Sequence, residues 1–392
     1  MKRERIIVWL FLWLLSFPWK AAAQEDSARV NSVTMNGYVE DMQAFIFHDF
    51  NSAWINSNLV RNRLNFKWHI SSSLTASMEM TNRFLVGNIL TRLPLYKSTF
   101  DYDNGMLSLS RNWFKGKNYI LNTSVDRLWL QYSGDKLQVT AGRQRINWGQ
   151  NYVWNPNDIF NAYSYLDFDY VEKPGSDAVR LQYFINPTSV FELAAKLNRQ
   201  KRTTLAVLYR FNKWKYDIQL IAGMVDRTDW MLGAGWSGQI KGGGITGEAS
   251  YFRPMKHFND TTGVFLASLG YNYTFRNSLA IQAEVLYNGN KSSSALFSVD
   301  PLSSTNLSAK NLFLRDFSFF ASLSYLVTPL INCSLAGIGN AKNKLYFIIP
   351  TVTVSLSNNL ELSAVGQLLR YTEHDILRQD INFAYFRLKQ SF

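Results

Sequence analysis

INFAYFRLKQSF, residues 381–392, alternates nearly to its last residue. Ala384, Phe386, Leu388 and Phe392 fall on one parity, with only Gln390 interrupting it, while Phe383, Tyr385, Arg387, Lys389 and Ser391 fall on the other. A strand sends successive side chains to opposite faces, so this stretch presents one apolar face and one basic, aromatic face.

The same period of two recurs along the chain. Leu64, Phe66, Trp68 and Ile70 alternate with Arg63, Asn65, Lys67 and His69; Leu74, Ala76, Met78 and Met80 follow after a Ser71-Ser72-Ser73 link. Leu128, Leu130 and Tyr132 pass through a Ser133–Lys136 turn into Leu137, Val139 and Ala141. These are hairpin patterns. Extended through segments near 179–183, 191–197, 205–211, 216–222, 230–238, 243–252, 264–273, 279–287, 317–325, 331–339, 345–355 and 360–369, with 33–47 at the start, the pattern gives about eighteen strands within a range of 14–18.

Link lengths separate by parity. Links near 71–73, 133–136, 185–189, 212–215, 239–242, 274–278, 327–330 and 355–359 are short, whereas long ones lie at 87–123, 146–176, 253–263 and 289–315. A soluble sandwich has no reason to segregate its links, but a spanning barrel has short periplasmic turns and long external loops. The fold expected is therefore all-β, a transmembrane antiparallel β-barrel with its apolar parity toward lipid and its polar parity toward a wet lumen. Aromatic residues at strand ends, among them Tyr132, Tyr209, Tyr216, Trp230, Trp236, Tyr273, Tyr287 and Tyr325, suit the girdles at the two interfaces.

Composition agrees with this reading. Aromatic residues make up 15% and charged residues 18%, mean hydropathy is −0.15, and beyond the N-terminus no stretch has the length and apolarity of a spanning helix. Lys2, Arg3 and Arg5, an apolar run over 6–17 and Ala21-Ala22-Ala23 read as a cleaved signal peptide, giving two units, 1–23 and the barrel 24–392. The single Cys333 excludes an internal disulfide and any Cys-x-x-Cys pair. The formal charge of +12 would suggest nucleic acid in a cytosolic protein; in an exported one it points to lipid headgroups or anionic solutes.

The segment 142–184 carries the most distinctive residues: Gly142, Arg143, Gln144, Asn147, Trp148, Gly149, Asn155, Pro156, Pro174 and Gly175. This series resembles porin-like outer-membrane families, including alginate-export-like barrels, and the alternating C-terminus ending in Phe392 resembles the signal read by the barrel assembly machinery. The resemblance implies a passive outer-membrane channel.

Strand parity places Arg61, Arg63, Lys67, Arg83, Arg127, Arg180, Lys196, Arg210, Arg387 and Lys389 in the lumen, against Glu79, Glu192, Asp217, Glu248, Glu284 and Glu361. An excess of inward cations favours anions. Arg143 and Arg145 continue the outward parity of Leu137, Val139 and Ala141, so this strand either bulges or has reached its outer rim. The loop that follows is a candidate constriction, with Trp148, Trp154, Asp158, Asp167, Asp169 and Glu172 its notable residues; the expectation is that it folds into or over the mouth and pairs with lumen arginines.

Catalysis finds little support. His48, His69, His257 and His374 are scattered without ligand spacing. Gly233-Ala234-Gly235-Trp236-Ser237-Gly238 matches a dinucleotide-binding pattern but lies in a strand and opens no helix. The sequence thus points to a porin-like channel for small hydrophilic, anionic or sugar-like solutes, with no enzymatic activity, cofactor, metal or nucleic acid. Outer-membrane lipids, lipopolysaccharide and the assembly machinery are the partners expected, and a homo-oligomer or larger membrane complex is compatible with it. The alternative is a non-conducting barrel, a scaffold or subunit of a larger transport or export complex, its lumen plugged by aromatic-rich loops, a reading supported by Trp129, Leu286, Phe320 and Phe383 on the inner parity.

Overall fold

The edge of an isolated strand is a row of unpaired peptide groups, which hydrocarbon cannot satisfy. The computed structural model describes residues 32–93, 96–97, 100, 102–163, 165, 175–256, 258, 262–291, 307–340, 342, 344–373 and 377–392. The first half of the wall comprises β1 (Ser32–Phe47), β2 (Ile55–His69), β3 (Leu74–Val86), β4 (Ser110–Lys115), β5 (Tyr119–Ser133), β6 (Leu137–Gln144), β7 (Ser176–Asn186), β8 (Ser189–Leu197) and β9 (Thr203–Lys213). The second comprises β10 (Tyr216–Val225), β11 (Asp229–Ile240), β12 (Gly243–Pro254), β13 (Val264–Thr274), β14 (Leu279–Asn288), β15 (Asp316–Thr328), β16 (Ile331–Asn340), β17 (Leu345–Ser357), β18 (Leu360–Glu373) and β19 (Leu377–Ser391).

Eighteen of these strands form one closed antiparallel ring, and every segment read from alternation is one of them. The C-terminal strand closes it: β19 pairs with β1 from Phe47↔Asn382 to Tyr38↔Ser391. One pair further on, Gly37 and Phe392 exchange both backbone hydrogen bonds at 3.0 Å. The outward parity is apolar around most of the circumference, with Val179, Leu232, Leu269, Phe319, Leu335 and Phe386 all exposed, and is interrupted on β1 to β3 by Asp41, Gln43, Asn58, Asn62 and Asn82. A belt of that extent is far larger than the apolar patches of a soluble monomer, and it faces lipid. No helix among the described residues is long and apolar enough to cross a membrane; the strands do so.

The link 87–123, expected as loop, contains a helical turn α1 (Ile89–Arg92) and the nineteenth strand, β4. Its reason is a missing neighbour. β6 has only eight residues and its pairing with β5 ends at Leu128↔Arg143, so the outer half of β5 lacks a partner on that side. β4 supplies one, from Ser110↔Ser124 to Lys115↔Ile120.

Arg143 stands at the outer end of β6 and keeps its outward parity, yet it is buried, because the segment before β4 crosses over it. Its guanidinium reaches Asp177 and Asp103, each at 2.7 Å, and donates to the carbonyl of Leu107 at 2.7 Å. Gly105 lies directly above it, where any Cβ would fall 1.9 Å from Nη2. Of the two expectations for this strand, the outer rim is the one found. Replacing Arg143 with Met leaves two carboxylates facing each other under the flap, and we expect a loss of about 3–5 kcal/mol. Urea unfolding in detergent measures it, together with faster proteolysis at 103–107.

Candidate functional site: the lumen and its inserted loop

The segment 145–163 turns inward from the end of β6 and packs against the inner wall from β7 to β15. Ile146, Trp148, Val153, Trp154, Ile159 and Phe160 are all buried there. Trp148 meets Phe160 edge-on at 4.8 Å, and Tyr152 and Trp154 reach Phe320 at 6.0 Å and Phe313 at 5.6 Å. A polypeptide in this position has many peptide N–H groups to satisfy. The wall satisfies them with carboxylates.

Glu248 on β12 accepts from the N–H of Gln150, of Asn151 at 3.1 Å and of Asn157 at 2.9 Å. Glu284 on β14 accepts from Val153 at 2.9 Å and Trp154 at 2.7 Å. Glu192 on β8 takes the indole N–H of Trp148 at 3.1 Å while Arg180 donates to it from the other side at 2.6 Å. Charge-assisted bonds of this kind are worth roughly 1.5–3 kcal/mol each.

The loop therefore lies against the inner wall, and among the described residues carboxylates accept its peptide N–H groups. Lys196 on β8 contacts the loop, its Nζ donating to the carbonyl of Phe160 at 2.7 Å. Asp158 is fully buried within electrostatic reach of Lys196. Asp167, Asp169 and Glu172 lie outside the described residues.

The glycine-rich match on β11 has its explanation here. Gly233 and Gly235 face inward, and a Cβ on Gly233 would fall 2.6 Å from the side-chain oxygen of Asn157, one on Gly235 3.0 Å from that of Gln150. They form the floor on which the loop lies. Asn157 is held above it by the carbonyl of Ala234 at 2.9 Å and the hydroxyl of Ser250 at 2.7 Å. Two further links come inward: Phe313, whose carbonyl accepts from Asn288 at 2.7 Å, and Phe100, on which Arg83 stacks at 5.1 Å.

The opposite wall, β18 and β19 through β1 to β5, is the basic one. Arg61 pairs with Glu40 at 2.8 Å; Arg63 holds Glu79 at 2.5 Å and Asp126 at 2.6 Å; Arg387 faces Glu361 at 3.4 Å. Arg127 donates to the carbonyl of Asp126 at 2.8 Å, and Arg83 to Asn122 at 2.7 Å. Lys389 lies 4.2 Å from the ring centre of Tyr38, and Arg210, across the lumen, reaches Gln219 at 3.4 Å. Lys67 is exposed on the inner parity near the lower end of β2.

Glu40 and Asp126 are inward acids that escaped the sequence reading. Glu40 shares the inner parity of Tyr38 and Met42, so its position was legible. Asp126 was not, because β5 bulges between Val125↔Met80 and Arg127↔Glu79, and the extra residue turns inward as well.

The two histidines among the described residues lie apart. His48 binds the carbonyl of Asp380 at 2.8 Å and His69 lies 3.4 Å from Thr75, while His257 and His374 lie outside the described residues. No group of three metal-binding side chains occurs among the described residues.

Replacing Glu248 with Ala removes an acceptor shared by three peptide groups, and the loop is expected to detach: protease cleavage within 150–157 rises at least tenfold while the barrel keeps its heat-resistant electrophoretic mobility. Glu248→Gln, which keeps one acceptor oxygen, falls between the two.

No protein-family model matches the sequence, and no curated protein matches it. Solved structures do match by shape. Acinetobacter baumannii OccAB4 is 10% identical, covers 93% of this chain and 99% of its own, and superimposes with a TM-score of 0.56. Pseudomonas aeruginosa OccD3 (OpdP) is 8% identical over 93% of this chain and 92% of its own, with a TM-score of 0.57; Acinetobacter baumannii OccAB1 is 6% identical over 95% and 99%, with a TM-score of 0.58. At such identities the likeness is one of fold, and together with the apolar exterior and the closed ring it makes this chain an eighteen-stranded β-barrel of the bacterial outer membrane.

Proposed function

We propose that the chain is a porin-like passive channel for small hydrophilic solutes, with a preference for anions. The observation that carries the preference is an asymmetry in how lumen charges are used. Glu248 and Glu284 are buried and occupied by the peptide N–H groups of the loop, and Glu192 by Trp148 and Arg180. Lys67, Arg83, Lys196 and Arg210, in contrast, have no carboxylate at ion-pair distance among the described residues. The acids are spent on holding the constriction while several cations keep their field, and a basic lining biases a pore toward negative solutes. The loop, pressed against one wall, narrows the passage and leaves the basic wall as the surface a solute meets.

The second reading is a non-conducting barrel acting as a scaffold or as a subunit of a larger complex. Its support is the burial of inner-wall residues such as Arg63, Phe320, Leu369 and Phe383.

Planar-bilayer recording separates the two. A channel gives stable current steps, and in a tenfold potassium chloride gradient its reversal potential takes the sign of chloride selectivity. Lys67→Glu with Arg210→Glu moves that potential toward the cation side, and deletion of residues 150–157 raises the conductance. A silent bilayer from folded protein selects the scaffold, and a potassium-selective wild type removes the anion preference.

A further inference from the structure

At the inner rim, charge is distributed unevenly. The turns at 70–73, 186–188, 328–330 and 357–359 carry no charged residue, and the turn at 134–136 carries one of each sign, Asp135 and Lys136. Three turns adjacent around the ring, joining β9 to β10, β11 to β12 and β13 to β14, hold Lys213, Lys215, Lys241 and Arg276, all exposed. The carboxylate beside them, Asp217, has the inner parity and accepts from Asn212 at 2.8 Å.

The first of these turns is also built against preference. Lys213 and Tyr216 pair across it, and the two residues between them, Trp214 at φ 55° and Lys215 at φ 66°, both take the left-handed conformation. Such two-residue turns favour Asn-Gly, and a bulky side chain there is unfavourable. The chain keeps a tryptophan instead, 76% exposed at the tip, with the Lys213 ammonium 4.6 Å from its ring. Ile240 and Phe275 stand exposed on the two neighbouring turns. Strain that holds an aromatic side chain outward between cations suggests a use for that side chain.

We propose that these three turns form a seat for the headgroup of an anionic phospholipid in the inner leaflet. Lysine and arginine ends meet the lipid phosphate while their stems, Trp214 and Phe275 lie along the acyl boundary, the position amphipathic side chains prefer. Four cations with no compensating acid on the outside provide the charge complementarity, which zwitterionic lipid does not repay.

Native mass spectrometry of the full-length folded protein, in micelles containing equal amounts of phosphatidylglycerol and phosphatidylcholine with identical acyl chains, tests the seat. The wild type should retain the anionic lipid about tenfold over the zwitterionic one. Combined Lys213→Gln, Lys215→Gln, Lys241→Gln and Arg276→Gln should bring the ratio close to one with heat-resistant mobility intact, and Lys136→Gln should leave it unchanged. Trp214→Ala should lower retention of both lipids. Equal retention by the wild type, an undiminished ratio in the fourfold variant, or displacement of the lipid by inorganic phosphate at the same concentration would overturn the proposal.

Discussion

Hydrogen bonding of the backbone in a solvent that offers none is the constraint on which the rest depends. A sheet of this length placed in lipid with two free edges would leave two rows of peptide groups unpaired, each group costing several kcal/mol. Joining β19 to β1 removes both edges at once. Once the ring is closed, side-chain direction follows from parity alone, so a residue's place in the sequence decides whether it meets acyl chains or the lumen. The same requirement recurs at smaller scale where β6 stops short and β4 takes over its role beside β5.

Inside the ring the requirement returns in a different form. A loop that folds into the lumen brings its own peptide groups out of bulk water, and it has no strand to pair with. Glu192, Glu248 and Glu284, together with Gln219 donating to the carbonyl of Trp148 at 2.7 Å, act as that missing strand. Their charge is consequently directed at the loop. On the opposite wall arginines and lysines from β2, β3, β5 and β19 lie side by side.

Periodicity made the wall legible: every ring strand could be read from alternation, because lipid and lumen impose opposite demands on neighbouring residues. Elements that obey no period were hidden. The bulge that turns Asp126 inward leaves no mark in composition, and β4 lies in a stretch whose need is set by a partner strand being short. The loop over 145–163 was recognisable as unusual, but the demand of its backbone for acceptors on the wall carries no sequence mark. Gly233 and Gly235 could be excluded as a phosphate loop, while their purpose depended on Gln150 and Asn157, some eighty residues away, coming to lie over them.

That floor of glycines has a bearing on engineering. The wall of β11 is bare where the loop covers it, so loop and wall are complementary halves of one fitted surface, and neither half is modular. Moving residues 145–163 alone into another barrel would carry over the knobs without these sockets. A transplant that keeps its shape has to move the recipient's inner-facing positions on β8, β11, β12 and β14 along with it.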